Sequence, residues 1–517
     1  MDRALLRTAA VIAAATVAGF WATLSADFVY DARLQILTDP FLHDPSNWWH
    51  VLTFRVLGMD VLDFNRPVHL ASMMLDAAVW GTNPFGYHLT SVLLHAVNVV
   101  LVWLVLRVVL ASGGREAPSP QALVPLIGAA LFAFHPVVVE AVCEPTFRED
   151  LLAALFTLGA VVLASRHDPR VGVDVRRAVA CAGCCLLAVG SKESGVAAPF
   201  VLAAFWLVFR RREPRDFWLA AVGAGLAVVT AFLAARFLLE PTPSRIFEIR
   251  PEYPGGSFVE AMKVEPRILA FYAQLIVFPA NLCADYGGYS VRHLPLWLAG
   301  VILVILAGAG AVAAWRDRRV AFGLALTVLP LVPVSNLVPI YRAAADRYLY
   351  LPLAGIACVV ACLLDAPWLH AREPRRRLAT LVAIAAVVGL LAGCLERQQV
   401  WRSQLALWTD TYARNPGSFN GASGLAGALR ETGRHAEAIE MARRAIALSE
   451  GGRGDAWMGL ALAFEAAGRP TEADTAADKA VDLDPRLADP DARVAALAME
   501  RGEADLAKTI LARRAAP

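Results

Sequence analysis

A carboxylate that leaves an apolar helix at a membrane surface has its proton affinity set by burial and by the charges it faces, which suits acid/base work. Asp31 stands in such a place. The stretch Ser25-Ala26-Asp27-Phe28-Val29-Tyr30-Asp31-Ala32-Arg33 follows directly on the first apolar run of the chain. Arg66, His135, Glu140, Arg148, Asp150, Lys192 and Arg347 stand in later segments that join apolar runs on the same side. Lys192 and Lys263 are the only lysines before residue 400. Lys192-Glu193 breaks an apolar stretch, a costly arrangement unless the charges pair or face a wet cavity.

Acid beside Arg, Lys and His at the lip of a bilayer suits transfer of a group from a lipid-linked phosphate. The carboxylate accepts the proton of an incoming hydroxyl, and the cations neutralise the phosphate that departs. For a sugar, a base on one face and a phosphate clamp on the other would invert the anomeric carbon. Residue types alone do not select sugar over another phosphate-linked group. A lone Asp at a helix end is equally an ordinary polar flank, so the reading requires that these distant segments converge.

The elements that would bring them together are membrane helices. At 517 residues, 57% hydrophobic and 18% charged, the chain is too apolar for an ordinary soluble protein. Apolar runs lie at roughly 4–25, 87–111, 121–139, 150–166, 177–191, 195–209, 216–238, 294–314, 320–338, 347–365 and 378–396. The first resembles a signal peptide but is long enough to span and lacks a clean cleavage site, so it reads as a retained anchor. Arg clusters near residues 107–115, 166–177, 210–215, 316–319 and 372–377 fall after alternate spans and mark the cytoplasmic side. Eleven crossings then put the N-terminus in the cytoplasm, and the candidate residues and the C-terminal tail outside. The segment Ile268–Pro279 would spoil this alternation if it crossed, and reads as a half-helix or surface helix.

Net charge is +2 and the basic residues are dispersed, so no nucleic-acid partner is implied. The eight cysteines lie mostly inside apolar runs as small packing residues. Cys143 and Cys283 alone fall in outer loops, where a disulfide between them is conceivable. No compact carboxylate or His cluster calls for a metal.

Charge density nearly doubles beyond Glu396-Arg397, which divides the chain into a membrane domain, 1–396, and a soluble domain, 397–517. In the tail Gly433-Arg-His-Ala-Glu437-Ala438 recurs as Gly468-Arg-Pro-Thr-Glu472-Ala473 and, more weakly, as Gly502-Glu-Ala-Asp-Leu-Ala507. That spacing marks tetratricopeptide repeats, and a stack of them forms an α-solenoid whose concave surface takes a peptide or protein. The expected fold is therefore all-α: a polytopic membrane helical bundle of about 11 spans followed by this solenoid.

The succession of motifs carries a further resemblance. It comprises Phe28-Val29-Tyr30-Asp31, Arg66-Pro67, Trp80-Gly81-x-Asn83-Pro84-Phe85-Gly86-Tyr87-His88-Leu89, Leu94-His95-Ala96-x-Asn98, His135-Pro136-x-x-x-Glu140, Arg148-x-Asp150-Leu151-Leu152-Ala153, Ser191-Lys192-Glu193-Ser194 and Ala345-Asp346-Arg347-Tyr348-Leu349-Tyr350-Leu351-Pro352. In this order they resemble the transmembrane and tetratricopeptide repeat-containing O-mannosyltransferases and their bacterial relatives, across essentially the whole chain. The resemblance implies a GT-C-like glycosyltransferase that moves a sugar from a polyprenyl phosphate to an acceptor hydroxyl. It implies action at the outer face of a bacterial plasma membrane, with protein O-glycosylation as the expected outcome, the repeats recruiting the acceptor and no cofactor required. Asp31 matches the presumed base. Ala32 stands where the family often has a second acid. Arg66, His135, Glu140, Arg148, Asp150, Lys192 and Arg347 match positions expected to face the donor pocket. A lipid-linked sugar flippase would line its pathway with the same residues, although no inverted repeat is evident. A non-catalytic membrane anchor for the repeat array is the other alternative.

Overall fold

The computed structural model describes residues 3–112, 119, 121–239, 253–287, 294–366 and 373–488. Among these residues the chain is all-α, with no strand. Six helices are long and apolar enough to cross a membrane: Pro84–Ala111, Glu193–Arg210, Arg215–Leu239, Leu296–Arg316, Asp346–Leu364 and Glu373–Val400. Leu123–Phe134 and Pro136–Cys143, bent by 47°, make a seventh if they form one broken span. The break falls where physical chemistry requires it. Pro136 has no N–H to continue the ladder and pushes His135 out of helical conformation, to φ −71 and ψ 129.

Eleven spans were expected, and the shortfall lies in helices that are short or charged. Arg3–Gly19 and Val175–Ser191 have 17 residues each, Arg318–Val328 has 11, and Arg148–Ser165 opens on Arg148, Glu149 and Asp150. The segment expected as a half-helix lies mostly in Phe258–Val277, which carries Pro266 in its interior and is not among the six. Cys143 and Cys283 are buried free thiols; Cys143 Sγ lies 3.2 Å from Thr23 Oγ1, and Cys283 donates to the Asp285 carbonyl.

Pro84–Ala111 is the central element, started by Asn83, whose side chain accepts the Phe85 N–H, and by Pro84 in the first turn. Its buried polar residues fasten neighbours that an apolar surface alone would not hold in register. His95 Nδ1 lies 2.7 Å from Tyr350 Oη, His95 Nε2 3.0 Å from the Ala133 carbonyl, and Asn98 Nδ2 donates to the Leu151 carbonyl. Three helices are thereby joined to one. Gly355 brings Tyr350–Leu364 and Arg318–Val328 into backbone contact: a Cβ there would lie 2.4 Å from Thr327 Oγ1 and 2.5 Å from the Gly323 carbonyl oxygen.

Over one end of the bundle lies a cap formed by short helices, Asp31–Leu37, Pro40–His43 and Trp48–Leu52, together with Pro67–Trp80. Phe28, Ile36, Phe41, Leu70 and Met73 form part of its core. The last of the six helices long and apolar enough to cross a membrane, Glu373–Val400, runs unbroken through Glu396-Arg397, and Gln404–Arg414 follows. Two helical hairpins come next, Phe419–Glu431 with His435–Leu448 and Gly454–Ala466 with Pro470–Leu483. Gly433 and Gly468, the repeated glycines, both take positive φ, 76° and 70°. After each, the same bond closes the helix end: Arg434 N–H to the Leu429 carbonyl and Arg469 N–H to the Phe464 carbonyl. The third unit, 487–514, lies almost wholly outside the described residues.

Inserting a methyl group into a backbone contact is strongly unfavourable, whereas one added in open space is not. Gly355→Ala is expected to lower the Tm of the detergent-solubilised chain by several degrees, and Gly159→Ala, whose Cβ would meet nothing within 4 Å, to leave it unchanged. Equal melting of both variants would contradict this packing.

Candidate active site

Two constellations occupy the capped end of the bundle. The first is a lattice of ion pairs, buried around Glu149, Asp150 and Lys192 and partly exposed at Asp63, Arg66, Glu193 and Arg236. Lys192 Nζ lies 2.5 Å from Asp150 Oδ2 and 3.0 Å from Glu149 Oε1. Glu149 also pairs with Arg66, which reaches Asp63 at 2.9 Å and Glu193 at 3.0 Å. Arg236 lies 3.7 Å from Glu193. On the next element Arg347 pairs with Glu140 through its guanidinium and its backbone N–H, and both Lys192 and Arg347 lie 5.2 Å from the Tyr348 ring. Helix starts set these positions: Arg66 precedes Pro67, Arg148-Glu149-Asp150 opens a helix, and Lys192 ends one.

The chemistry of this lattice is constrained by its own balance. Asp63, Glu140, Glu149, Asp150 and Glu193 face Arg66, Lys192, Arg236 and Arg347, five acids against four cations. Buried charges persist only when paired, and these are already paired by the protein. An incoming phosphate would have to displace a carboxylate to bind here.

The second constellation surrounds Asp31, the exposed first residue of Asp31–Leu37. Tyr30, before it, is a non-glycine residue at φ 54 and ψ −133, a conformation that persists only when its surroundings impose it. They do so through aromatic packing. Tyr30 stacks on Trp408 with centroids 5.4 Å apart, meets Phe147 edge-on at 5.7 Å, and has the Arg342 guanidinium 5.8 Å from its ring. Burial pushes the Tyr30 phenol up, against the lowering effect of Arg342, so it stays protonated near neutrality; its buried oxygen has no hydrogen-bond partner. Arg342 is about 29% exposed along its side chain, pairs with Asp285 at 3.0 Å, and lies close enough to Asp31 to feel its charge.

Asp285 carries this corner into the tail. It accepts from Ser418, Asn420 and the Gly287 N–H as well as Arg342, and Asn415 donates to its carbonyl at 3.1 Å. Arg33, two residues after Asp31, holds both carboxylate oxygens of Glu431, at 2.7 and 2.8 Å. The first tail hairpin thus forms a wall beside Asp31.

Of the residues singled out in the sequence, Arg66, Asp150 and Lys192 meet in the lattice, and Glu140 with Arg347 adjoins it. Arg148 does not join them. Fully buried, it binds Asp76 at 2.6 Å, the Tyr87 carbonyl at 2.9 Å and Ser72 Oγ at 3.0 Å, so it fastens the cap to the bundle. His135 is spent on the broken span, with Nε2 3.0 Å from the Ile276 carbonyl. Asp31 itself does not enter the lattice; Tyr30, the residue before it, meets Phe147, whose ring has the Arg347 guanidinium 3.9 Å away. Arg342 and Glu144 were missed. Arg342 could have been noticed as an Arg just before Asp346-Arg347; Glu144 had no signal, since only tertiary structure brings it to the Asp31 helix, where it accepts the Ala32 N–H. A cavity of about 520 Å³ lined by Arg107, Arg166 and Arg210 contains none of these residues. Among the described residues no three His, Cys, Asp or Glu are grouped to hold a metal ion.

A protein O-mannosyl-transferase of Caenorhabditis elegans is 23% identical over 425 residues, covering 78% of this chain and 57% of the relative. The human protein O-mannosyl-transferase TMTC1 is 23% identical, covering 85% and 55%. The chain resembles the transmembrane and tetratricopeptide repeat-containing O-mannosyltransferases over most of its length. Human TMTC2 is 31% identical over a shorter stretch of 194 residues, 35% of this chain and 22% of the relative. The chain spans about half the length of the Caenorhabditis elegans protein and of human TMTC1. No family model matches it, and no solved structure does.

A buried pair broken on one side leaves an uncompensated charge, which costs about 3–5 kcal/mol. Lys192→Met, which leaves Asp150 without its cation, is expected to destabilise the chain by about that much; Asp150→Asn is expected to cost less, because Lys192 keeps Glu149, and the double variant less than their sum. Additive losses in denaturant unfolding would contradict the coupling.

Proposed function

We propose that this membrane chain is an inverting glycosyltransferase that moves a sugar from a polyprenyl phosphate to the hydroxyl of an acceptor, in protein O-glycosylation. The reading is supported by the relatives, which are named protein O-mannosyl-transferases. The observation that carries it is Asp31, an exposed carboxylate after an imposed turn at Tyr30, with a partly exposed guanidinium, Arg342, within its field.

In the proposed reaction Asp31 accepts the proton of the acceptor hydroxyl as its oxygen forms a bond to the anomeric carbon. The bond from that carbon to the donor phosphate breaks, and the polyprenyl phosphate leaves with one more negative charge. Arg342 neutralises that charge, in a place where a cation strengthens as the transition state develops. The ion-pair lattice behind it is the rigid support. Its residues pair with one another and so fix the helix starts.

The proposed architecture is a GT-C-like membrane domain, 1–396, and a tetratricopeptide repeat domain, 397–517, on the outer face of a bacterial plasma membrane, with a cytoplasmic N-terminus. The repeats recruit the acceptor, and no cofactor enters the reaction. The contacts from Arg33 to Glu431 and from Asp285 to Ser418 support a repeat domain that delivers an acceptor chain to Asp31.

Full-length chain, purified in detergent and given a polyprenyl-phosphate mannose and a serine/threonine-rich peptide, is expected to form a mannosylated peptide measurable by mass spectrometry. Asp31→Asn should lower kcat by roughly 10²- to 10⁴-fold, the range for a lost general base. Arg342→Ala should lower kcat/KM by about 10²-fold, with Arg342→Lys recovering part of it. Unchanged turnover by Asp31→Asn removes Asp31 as the base and the reading with it.

A further inference from the structure

The helix that starts at Asp31 is held by a carboxyl group from a distant segment. Glu144 Oε1 accepts the backbone N–H of Ala32 at 2.9 Å and the Thr146 hydroxyl at 2.7 Å. Glu144 is wholly buried, yet its other oxygen, Oε2, has no hydrogen-bond partner. A bare carboxylate in such a place carries a large desolvation cost, and an orphaned buried oxygen calls for an explanation. Burial is the main cause that raises the Glu144 carboxyl well above its ordinary range; the Thr146 hydroxyl opposes it, and the charge of Asp31 adds to it. Burial thus favours the protonated form of this carboxyl, and Oε1 is the oxygen that accepts.

Its backbone is as constrained as its side chain. The Glu144 N–H closes Val139–Cys143 on the Glu140 carbonyl at 3.2 Å, and its own carbonyl accepts the Phe147 N–H at 3.0 Å. Phe147 carries Tyr30 on its edge and has the Arg347 guanidinium 3.9 Å from its ring. Glu140, four residues before Glu144, holds Arg347, and Arg148, four residues after it, anchors the cap. Glu144 is thus a fixed point between the ion-pair lattice and Asp31. Ala32 brings no polar side chain of its own to this junction.

We propose that Glu144 is a positioning residue for Asp31: it binds the first turn of the Asp31 helix through the Ala32 N–H and so fixes the carboxylate where it meets the acceptor hydroxyl. The proposal rests on the reading of Asp31 as the base. A displacement of about 1 Å at a reacting group is enough to cost orders of magnitude in rate, so losing this bond should appear in turnover and not in donor affinity.

The test uses the full-length chain with polyprenyl-phosphate mannose and the peptide acceptor, rates being normalised to folded protein. Glu144→Gln keeps an acceptor oxygen for Ala32 and a donor at the second position, as the neutral acid does, and is expected to stay within about threefold of wild-type kcat. Glu144→Ala, and Glu144→Asp, which withdraws the acceptor by one methylene, are expected to lose about tenfold or more in kcat with donor KM within about threefold. Turnover by Glu144→Ala within twofold of wild type, in a preparation where Asp31→Asn is inactive, overturns the positioning role and leaves the transferase reading intact. If Glu144→Ala does not fold, Gln against Asp decides: equal kcat for these two overturns the proposal. Turnover that survives in Asp31→Asn overturns the transferase reading, whatever Glu144 does.

Discussion

A helix of seven residues is too short to persist on its own propensity, since nucleation costs more than so few hydrogen bonds return. Asp31–Leu37 exists because tertiary contacts hold it on three sides. Glu144 takes the Ala32 N–H, Gln35 donates to Asp63 at 2.6 Å, and Arg33 grips Glu431. Each contact ties it to a different part of the chain: the broken span, the cap, and the tail. Asp31 can face outward at a defined place only while all three hold. The turn at Tyr30 is affordable for the same reason, because Trp408, Phe147 and Arg342 occupy every side of its ring.

The lattice around Lys192 supplies rigidity to this arrangement in place of a free charge. Its acids and bases pair within a region of low dielectric, where a misplaced member would cost several kcal/mol. That penalty fixes the starts of Pro67–Trp80 and Arg148–Ser165 relative to the end of Val175–Ser191. Asp63 belongs both to this lattice, through Arg66, and to the Asp31 helix, through Gln35. The buried ions thereby act on the exposed carboxylate at one remove. Arg342 is partly exposed, as Arg66 and Arg236 are, but it differs from them in its partner: Asp285 is already shared among Ser418, Asn420 and the Gly287 N–H.

Much of this was legible in the sequence, and the limits have physical causes. Helical class, the long apolar runs and the repeated glycines follow from local patterns, and Gly433 and Gly468 adopt the same helix-ending turn that their spacing suggests. Arg3–Gly19 and Val175–Ser191, at 17 residues each, stand at the lower limit of a spanning length, and hydropathy along the sequence does not fix where such a helix ends. Lys192 with Asp150 stood out because charge inside an apolar stretch needs a partner. Arg148 stood out for the same reason and was assigned to the donor pocket, but its partner proved to be Asp76, a choice made by the packing of the cap. Glu144 gave no signal, because its meaning depends on a backbone N–H 112 residues earlier in the chain.

The central claim is a single displacement at the anomeric carbon, with Asp31 as base and a phosphate leaving from the opposite face. Nuclear magnetic resonance of the product against the donor tests it most directly, by giving the anomeric configuration before and after transfer. The account predicts that a β-linked donor yields an α-linked product, and the reverse for an α-linked donor. Retention of configuration would require a covalent sugar intermediate on the enzyme and would contradict it.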